Sequence, residues 1–234
     1  CFYTGVSSIP ATTWSMTPVT GREYLFEELP EGPGWGTSPW GETERIRYFA
    51  LHTPNLIRKY GREDWQDAAA PLAIKRLKAW GFSGGGKWGA PEGIPYTPVM
   101  RAPGVPVLDR HIDCFDPAIR QQFEASIREQ LTPKLNNPYV LGWTFGSEYD
   151  GIVTKAEVTA VLGMGGTVPA KRAFVDLLLQ QNYCGEVSAM ATAWGVEART
   201  VDELYAATPK PPFDDIEKLR YFYADAYHEF VYET

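Results

Sequence analysis

Cysteine is scarce in this chain: Cys1, Cys114 and Cys184 are the only three among 234 residues. Three scattered thiols build neither a disulfide framework nor a zinc site, so no metal is expected. Long hydrophobic runs are missing too. None approaches the roughly 18 residues of a membrane-spanning helix, and no membrane partner is expected. Positive charge is short, with 22 Lys and Arg against 29 Asp and Glu for a net charge of −7. No basic stripe gathers what there is, so a phosphate backbone would be repelled and no nucleic-acid partner is expected. The run Gly84-Gly85-Gly86 lacks the lysine and hydroxyl spacing of a nucleotide-binding loop, and no cofactor is expected. The opening residues show no leader pattern; Phe2 to Ile9 read as an apolar strand of a domain already under way, with an upstream segment expected. A buried strand that starts at residue 2 argues against a lipid anchor on Cys1.

What is present is ordinary in proportion. Apolar residues at 44% and charged residues at 22% mark a globular chain. Its length suits one large domain or two small ones. Tryptophan is the outlier, at eight residues. Trp65, Trp80 and Trp194 fall within helical patterns and are expected in the core. Trp14, Trp35, Trp40 and Trp88 fall in loop-like contexts. There a Trp either packs or offers a flat, rigid face to the C–H face of a sugar ring.

Punctuation residues divide the chain. After the strand at Phe2 to Ile9 comes a Gly, Pro and Trp-rich stretch, and residues 10–53 read as one long loop. A connection of that length is uncommon in compact domains and is often functional. Pro54 in a first turn and Gly61 beyond the end bracket a short helix. A second helix runs from about Trp65 to Trp80, with Ala73, Leu77 and Trp80 as its buried stripe and Gly81 as terminator. Phe82 to Lys87 reads as a second strand, and Thr97 to Leu108 as a third, broken by Pro98, Pro103 and Pro106. Asp116 as N-cap and Pro117 open a helix with Ile119, Phe123, Ile127 and Leu131 on one face. The Asn137-Pro138 turn leads into a fourth strand, Tyr139 to Phe145. Everything beyond Asp150 reads helical: Thr154 caps Lys155 to Leu162, Pro169 opens a helix to Gln181, Glu186 to Trp194 and Val201 to Ala206 come next, and Asp214 or Asp215 caps the last.

Strands alternating with helices predict an α/β fold with a parallel sheet. In a parallel barrel the chemistry sits where strands end. Glu148 comes after the fourth strand, beyond Phe145-Gly146-Ser147, which makes it a candidate acid/base with apolar neighbours in Phe145 and Tyr149. The alternative role for such a carboxylate is structural, paired with an Arg or capping a helix. Asp150 assists sugar binding or caps the segment after it. His111 lies before a helix on the presumed active face, where it contacts substrate or is simply solvated. Asp109, His111 and Asp113 at i, i+2, i+4 do not share one helical face, and no further metal ligands are evident.

The order and spacing of several segments resemble agarase-like glycoside hydrolases. They are Pro54-Asn55-Leu56-Ile57-Arg58-Lys59-Tyr60-Gly61, Lys75-Arg76-Leu77-Lys78-Ala79-Trp80-Gly81-Phe82, Phe115-Asp116-Pro117-Ala118 and Asn137-Pro138-Tyr139-Val140-Leu141-Gly142 leading to Glu148. Pro169-Ala170-Lys171-Arg172-Ala173-Phe174 and Ala193-Trp194-Gly195 look like that group's helical insertion after the fourth strand. The resemblance spans Gly5 to about Tyr227 and implies a (β/α)8 TIM barrel. This chain would supply about the first four strands, with residues 151–213 as the helical insertion. The rest of the barrel is expected beyond Thr234 or in a second chain; the alternative is an open sheet. The group resembles the clan of retaining β-glycosidases, in which an acid/base Glu closes strand four and a nucleophile Glu closes strand seven. By position Glu148 is the acid/base, and the nucleophile has no counterpart within these residues. Ser147 stands where that clan usually has an Asn at the sugar's 2-hydroxyl, and Ser83-Gly84-Gly85-Gly86 replaces an Asn-Thr-apolar pattern, while Trp88 matches. The resemblance implies a carbohydrate substrate of β-linked agarose or galactan type, met by Trp88 and Ser147 at matching positions, with His111, Asp150, Trp35 and Trp40 as further candidate contacts read from the residues themselves. A relative that kept the fold and lost the chemistry is the alternative. A polymer substrate would require export, to the periplasm or beyond.

Overall fold

The computed structural model describes residues 17–29, 31, 35–37, 46–50, 52–61, 65–87, 93–146 and 151–234. It is helix-rich with few and short strands. The chain divides into two compact units: Cys1–Val99 with Asn137–Thr144, and Met100–Asn136 with Phe145–Thr234.

In the first unit, strands β1 (Thr17–Pro18), β2 (Trp35–Thr37) and β3 (Arg47–Phe49) form an antiparallel sheet in the order β1-β3-β2. Residues 10–53, read from sequence as loop, thus contain a small sheet. Strands of two or three residues carry too few alternating positions to register as a period. The helices α1 (His52–Tyr60) and α2 (Trp65–Ala79) come next as expected, and Gly61 closes α1 at φ +70 with its N–H donated to Ile57 O. The buried stripe of α2 is Ile74 and Leu77, packed with Ile94 and Phe82, rather than Ala73, Leu77 and Trp80. Trp80 lies one residue past the helix and is 68% exposed, so it is not the core residue expected. The expected strand Phe82–Lys87 is only ladder-like. Gly85 N–H donates to Pro95 O and Thr97 N–H to Gly86 O, and Gly86 at φ +67 ends the extended run.

The expected third and fourth strands survive as short pieces, β4 (Val99–Met100) and β5 (Thr144–Phe145), which pair with each other. Within the first unit the pairing is parallel: Tyr96 bridges Val140 and Thr144 N–H donates to Pro98 O. Pro98, Pro103 and Pro106 cannot donate to a ladder, which confines β4. The run Tyr139 to Phe145 is not a continuously buried strand, since Leu141 is 71% exposed. An apolar run does not by itself distinguish burial from exposure. The strand expected at Phe2 to Ile9 lies outside the described residues.

The second unit holds α3 (Pro117–Leu131), α4 (Lys155–Leu162), α5 (Pro169–Gln181), α6 (Val187–Trp194), α7 (Val201–Ala206) and α8 (Phe213–Tyr232). Local chemistry fixes their starts. Asp116 accepts from Ala118 N–H with Pro117 next, Thr154 accepts from Glu157 N–H, and Thr200 with Glu203 forms a capping box. Their apolar faces converge on Phe174, Leu178, Met190, Trp194, Leu204, Leu219 and Tyr223, all buried. A smaller cluster gathers Ile119, Phe123 and Ile127 of α3 with Tyr227 and Phe230 of α8.

The start of α8 departs from expectation. Pro212 occupies the cap position, and Asp215 turns inward instead. Its carboxylate accepts from Asn182 Nδ2 at 2.7 Å, Tyr183 OH at 2.6 Å and Trp194 Nε1 at 2.8 Å. Burial, then the Asp215 carboxylate, pushes the Tyr183 hydroxyl well above its ordinary value, so it remains a donor. This one side chain therefore joins the end of α5, α6 and α8. Asp215→Ala is expected to leave three donors without their acceptor and to cost about 3 kcal/mol or more. Urea denaturation, with exposed Tyr221→Ala as the reference, measures it.

Candidate functional site

The site-bearing part of the second unit is built around residues 101–116. Beyond β4, Arg101 N–H donates to Gln130 Oε1 at 3.2 Å, and the Gln130 amide returns a bond to Arg101 O, which ties this turn to α3. Val107 bridges Ile112 in antiparallel fashion and Leu108 N–H donates to His111 O at 2.9 Å, so residues 108–111 form a tight turn.

That turn is held from inside by one carboxylate. Glu157 of α4 is fully buried, and its Oε1 accepts from His111 N–H at 2.9 Å and Arg110 N–H at 3.3 Å. The same oxygen lies 2.8 Å from His111 Nδ1. His111 is 2% exposed and stands edge-on to Tyr227 with ring centroids 4.6 Å apart. Burial pushes the Glu157 carboxyl up, but the ring and backbone bonds from His111 and Arg110 outweigh it, and the net shift is downward. His111 is therefore neither solvated nor alone. His111 Nε2 and Glu157 Oε2 are buried without a hydrogen-bond partner among the described residues.

The next residues are anchored in other directions. Tyr223 OH of α8 donates to Ile112 O at 2.8 Å. Asp113 accepts from Ala170 N–H, at the start of α5, and from Phe115 N–H, both at 3.1 Å. Burial nevertheless holds the Asp113 carboxyl above its ordinary value. His111 turns to α4 and Asp113 to α5, while no group of three metal-ligating side chains occurs among the described residues.

A cavity of about 240 Å³ opens beside this turn, lined by Arg101, Arg110, His111, Phe145, Gly146 and Tyr227 among others. Gly146, at φ +66, follows β5 and is the last described residue before 151. Ser147, Glu148 and Asp150 lie outside the described residues, as do Trp40 and Trp88. Trp35 belongs to the first unit. The Arg47 guanidinium lies 4.0 Å from its ring centroid and the Phe49 ring 4.8 Å away. It also lines a separate cavity of about 400 Å³ with Thr20, Glu23, Glu31 and Arg47.

Sequence reasoning missed Glu157, Arg101 and Arg110. The pattern Thr154-x-x-Glu157 signals a helix start, and Thr154 does cap α4, but the pattern says nothing of a carboxylate bound to a turn 46 residues earlier. The two arginines carry no local signal.

No family model matches the chain. Over 86% of its length it is 26% identical to β-agarase A of Vibrio sp. (strain JT0107), in an alignment of 244 residues. The chain spans about a quarter of that relative's length, 24%. Its fold is similar to part of a solved exo-β-agarase, with a TM-score of 0.62 and 20% identity over 91% of this chain and 33% of the other. It is likewise similar to the agarase AgWH50C, at a TM-score of 0.62 and 21% identity over 90% of this chain and 35% of the other. A third structure, PfGH50B, matches at a TM-score of 0.60 and 22% identity, over 90% of this chain and 35% of the other. The chain thus shares the fold of about one third of each of these larger chains. No described helix is long and apolar enough to cross a membrane.

The Glu157 pairing has a pH signature. Its carboxyl titrates below the ordinary 4.5 when folded, so its stabilisation is complete above 4.5 and is lost as pH falls through the lower folded value. Asp113, raised above 3.8, acts in the opposite sense, favouring the folded state most when protonated. Glu157→Gln is expected to lower stability at neutral pH and to flatten the acid limb. Denaturation midpoints of both proteins from neutral pH to well below 4.5 measure this.

Proposed function

We propose that this chain is part of a glycoside hydrolase acting on β-linked, agarose or galactan-type saccharides. The observation that carries the reading is the similarity to β-agarase A over 86% of the chain, together with a fold likeness to agarase structures at TM-scores up to 0.62. The short parallel pairing of β4 with β5 and the helices after it suit an incomplete (β/α)8 barrel. Residues 10–53 would then form an active-face segment and residues 151–213 a helical insertion.

The chemistry we assign is retaining double displacement. It needs two carboxyl groups about 5–5.5 Å apart across the glycosidic bond. One attacks the anomeric carbon to form a glycosyl ester as the glycosidic bond breaks and the leaving oxygen takes a proton from the other. The second group then takes a proton from water, whose oxygen attacks the anomeric carbon and displaces the first carboxylate, which releases the sugar. Glu148 is assigned as the proton donor and base. The nucleophile is not among these residues. A general acid must hold its proton near neutral pH, which an apolar setting favours, and Phe145 and Tyr149 flank Glu148 in sequence. Trp88, Ser147, His111, Asp150, Trp35 and Trp40 are assigned to the sugar. Of these, His111 lines the cavity beside the strand end. No cofactor or metal is assigned. For a polymer substrate the protein would act in the periplasm or outside the cell. A second reading, a carbohydrate-binding relative without catalysis, is favoured by Ser147 at a position where an Asn usually holds the 2-hydroxyl.

Glu148→Gln, made in the protein that carries this chain, tests the assignment. Hydrolysis of a neutral agaro-oligosaccharide is expected to fall about 100-fold or more, the scale of lost general acid catalysis, with a smaller loss on an activated aryl glycoside. Equal rates for both proteins on the oligosaccharide would sink the role of Glu148. Binding without hydrolysis by the unmodified protein would favour the second reading.

A further inference from the structure

Resting on the glycosidase reading, we propose that the cavity beside the residue 108–111 turn binds an oxyanion carried by the glycan, as a sulfate ester or a carboxylate. Among the described residues that line it, Arg110 supplies a guanidinium and His111 a ring whose Nε2 is without a hydrogen-bond partner there, and none is acidic. That composition is unexpected in a chain of net charge −7, in which acidic residues outnumber Lys and Arg. Guanidinium groups suit such a ligand because their planar fork donates two parallel hydrogen bonds to adjacent oxygens.

Size narrows the occupant. At about 240 Å³ the cavity falls below the roughly 300–1,000 Å³ of a pocket for a whole drug-sized ligand, so it takes one substituent or one sugar unit. Its apolar walls, Val107, Ile112, Phe123 and Phe145, lower the local dielectric and strengthen a charged bond placed there. The wall is also fixed beforehand. Glu157 holds the Arg110 and His111 backbone, Tyr223 holds Ile112, and Gln130 holds Arg101. A site ordered before binding loses less on binding. Phe145 and Gly146 form another side of the cavity. The cavity would then be a specificity site that selects modified galactan.

Arg110→Met is the informative change. The Arg110 side chain is exposed, and the bond to Glu157 comes from its backbone N–H, which any residue at 110 except proline retains. Calorimetric titrations would compare a neutral agaro-oligosaccharide, its sulfated and carboxylated counterparts, and sodium sulfate alone. The charged sugar is expected to bind about ten-fold tighter than the neutral one, the scale of one hydrogen bond to a charged group. In Arg110→Met the preference should fall to about two-fold, and Arg110→Lys should restore part of it. Whichever charged sugar binds tighter identifies the substituent. Equal binding of neutral and charged sugars, or a preference that Arg110→Met retains, would overturn the proposal and leave the glycosidase reading untouched. Binding of inorganic sulfate that depends on Arg110, with no sugar bound, would overturn the glycan assignment and the glycosidase reading, leaving a site for a free anion.

Discussion

A buried carboxylate must be hydrogen-bonded or it unfolds what surrounds it, because its desolvation is worth several kcal/mol. Glu157 meets that constraint by drawing three groups onto one oxygen: the His111 ring and the backbone N–H groups of Arg110 and His111. The consequence is a fixed turn. With residues 108–111 held, Ile112 and Asp113 are directed to α8 and α5, and Arg101, Arg110 and His111 come to line one cavity. The geometry of the candidate site in the second unit depends on this single acceptor.

Asp215 does for the helices what Glu157 does for the turn. Its two oxygens take one amide, one phenol and one indole donor from α6 and the end of α5, while α8 supplies the carboxylate. Lys171 repeats the theme with opposite sign: fully buried, it donates to Met164 O and Ala207 O at 2.7 Å each and joins the loop before α5 to the end of α7. Burial lowers its affinity for the proton, and no carboxylate faces it in these bonds. The helical part is therefore apolar in bulk but specified by the polar contacts of a few buried charged side chains, Asp113, Glu157, Lys171 and Asp215. Each is made by a residue type that is too costly to bury alone, which fixes helix order more sharply than interchangeable Leu and Val could.

The helices were legible where local chemistry decides them. Asp116 with Pro117, Thr154, and Gly61 act within one turn of their own position, and each stands where its sequence places it. The strands were less legible. Tyr139 to Phe145 has the composition of a buried strand, yet Leu141 is exposed and only Thr144–Phe145 pair regularly. Burial of a strand is conferred by what lies on its two faces, and that is not written in the strand. Trp80 makes the same point: its helical spacing from Leu77 continues past the helix end, where its direction is no longer set by the helix.

For the site the division is sharper. Sequence by itself determined the locally capped helix starts at Asp116, Thr154 and Thr200, and a resemblance carried by the order of several segments. Only the tertiary structure decided that His111 is buried against Glu157, that His111 and Asp113 part company within two residues, and that Arg47 stacks on Trp35. Caps, turns and helical periods depend on neighbours within about four residues, so the chain encodes them locally. A hydrogen bond across 46 residues depends on how separate elements pack, and its two partners carry no mark of each other until they meet.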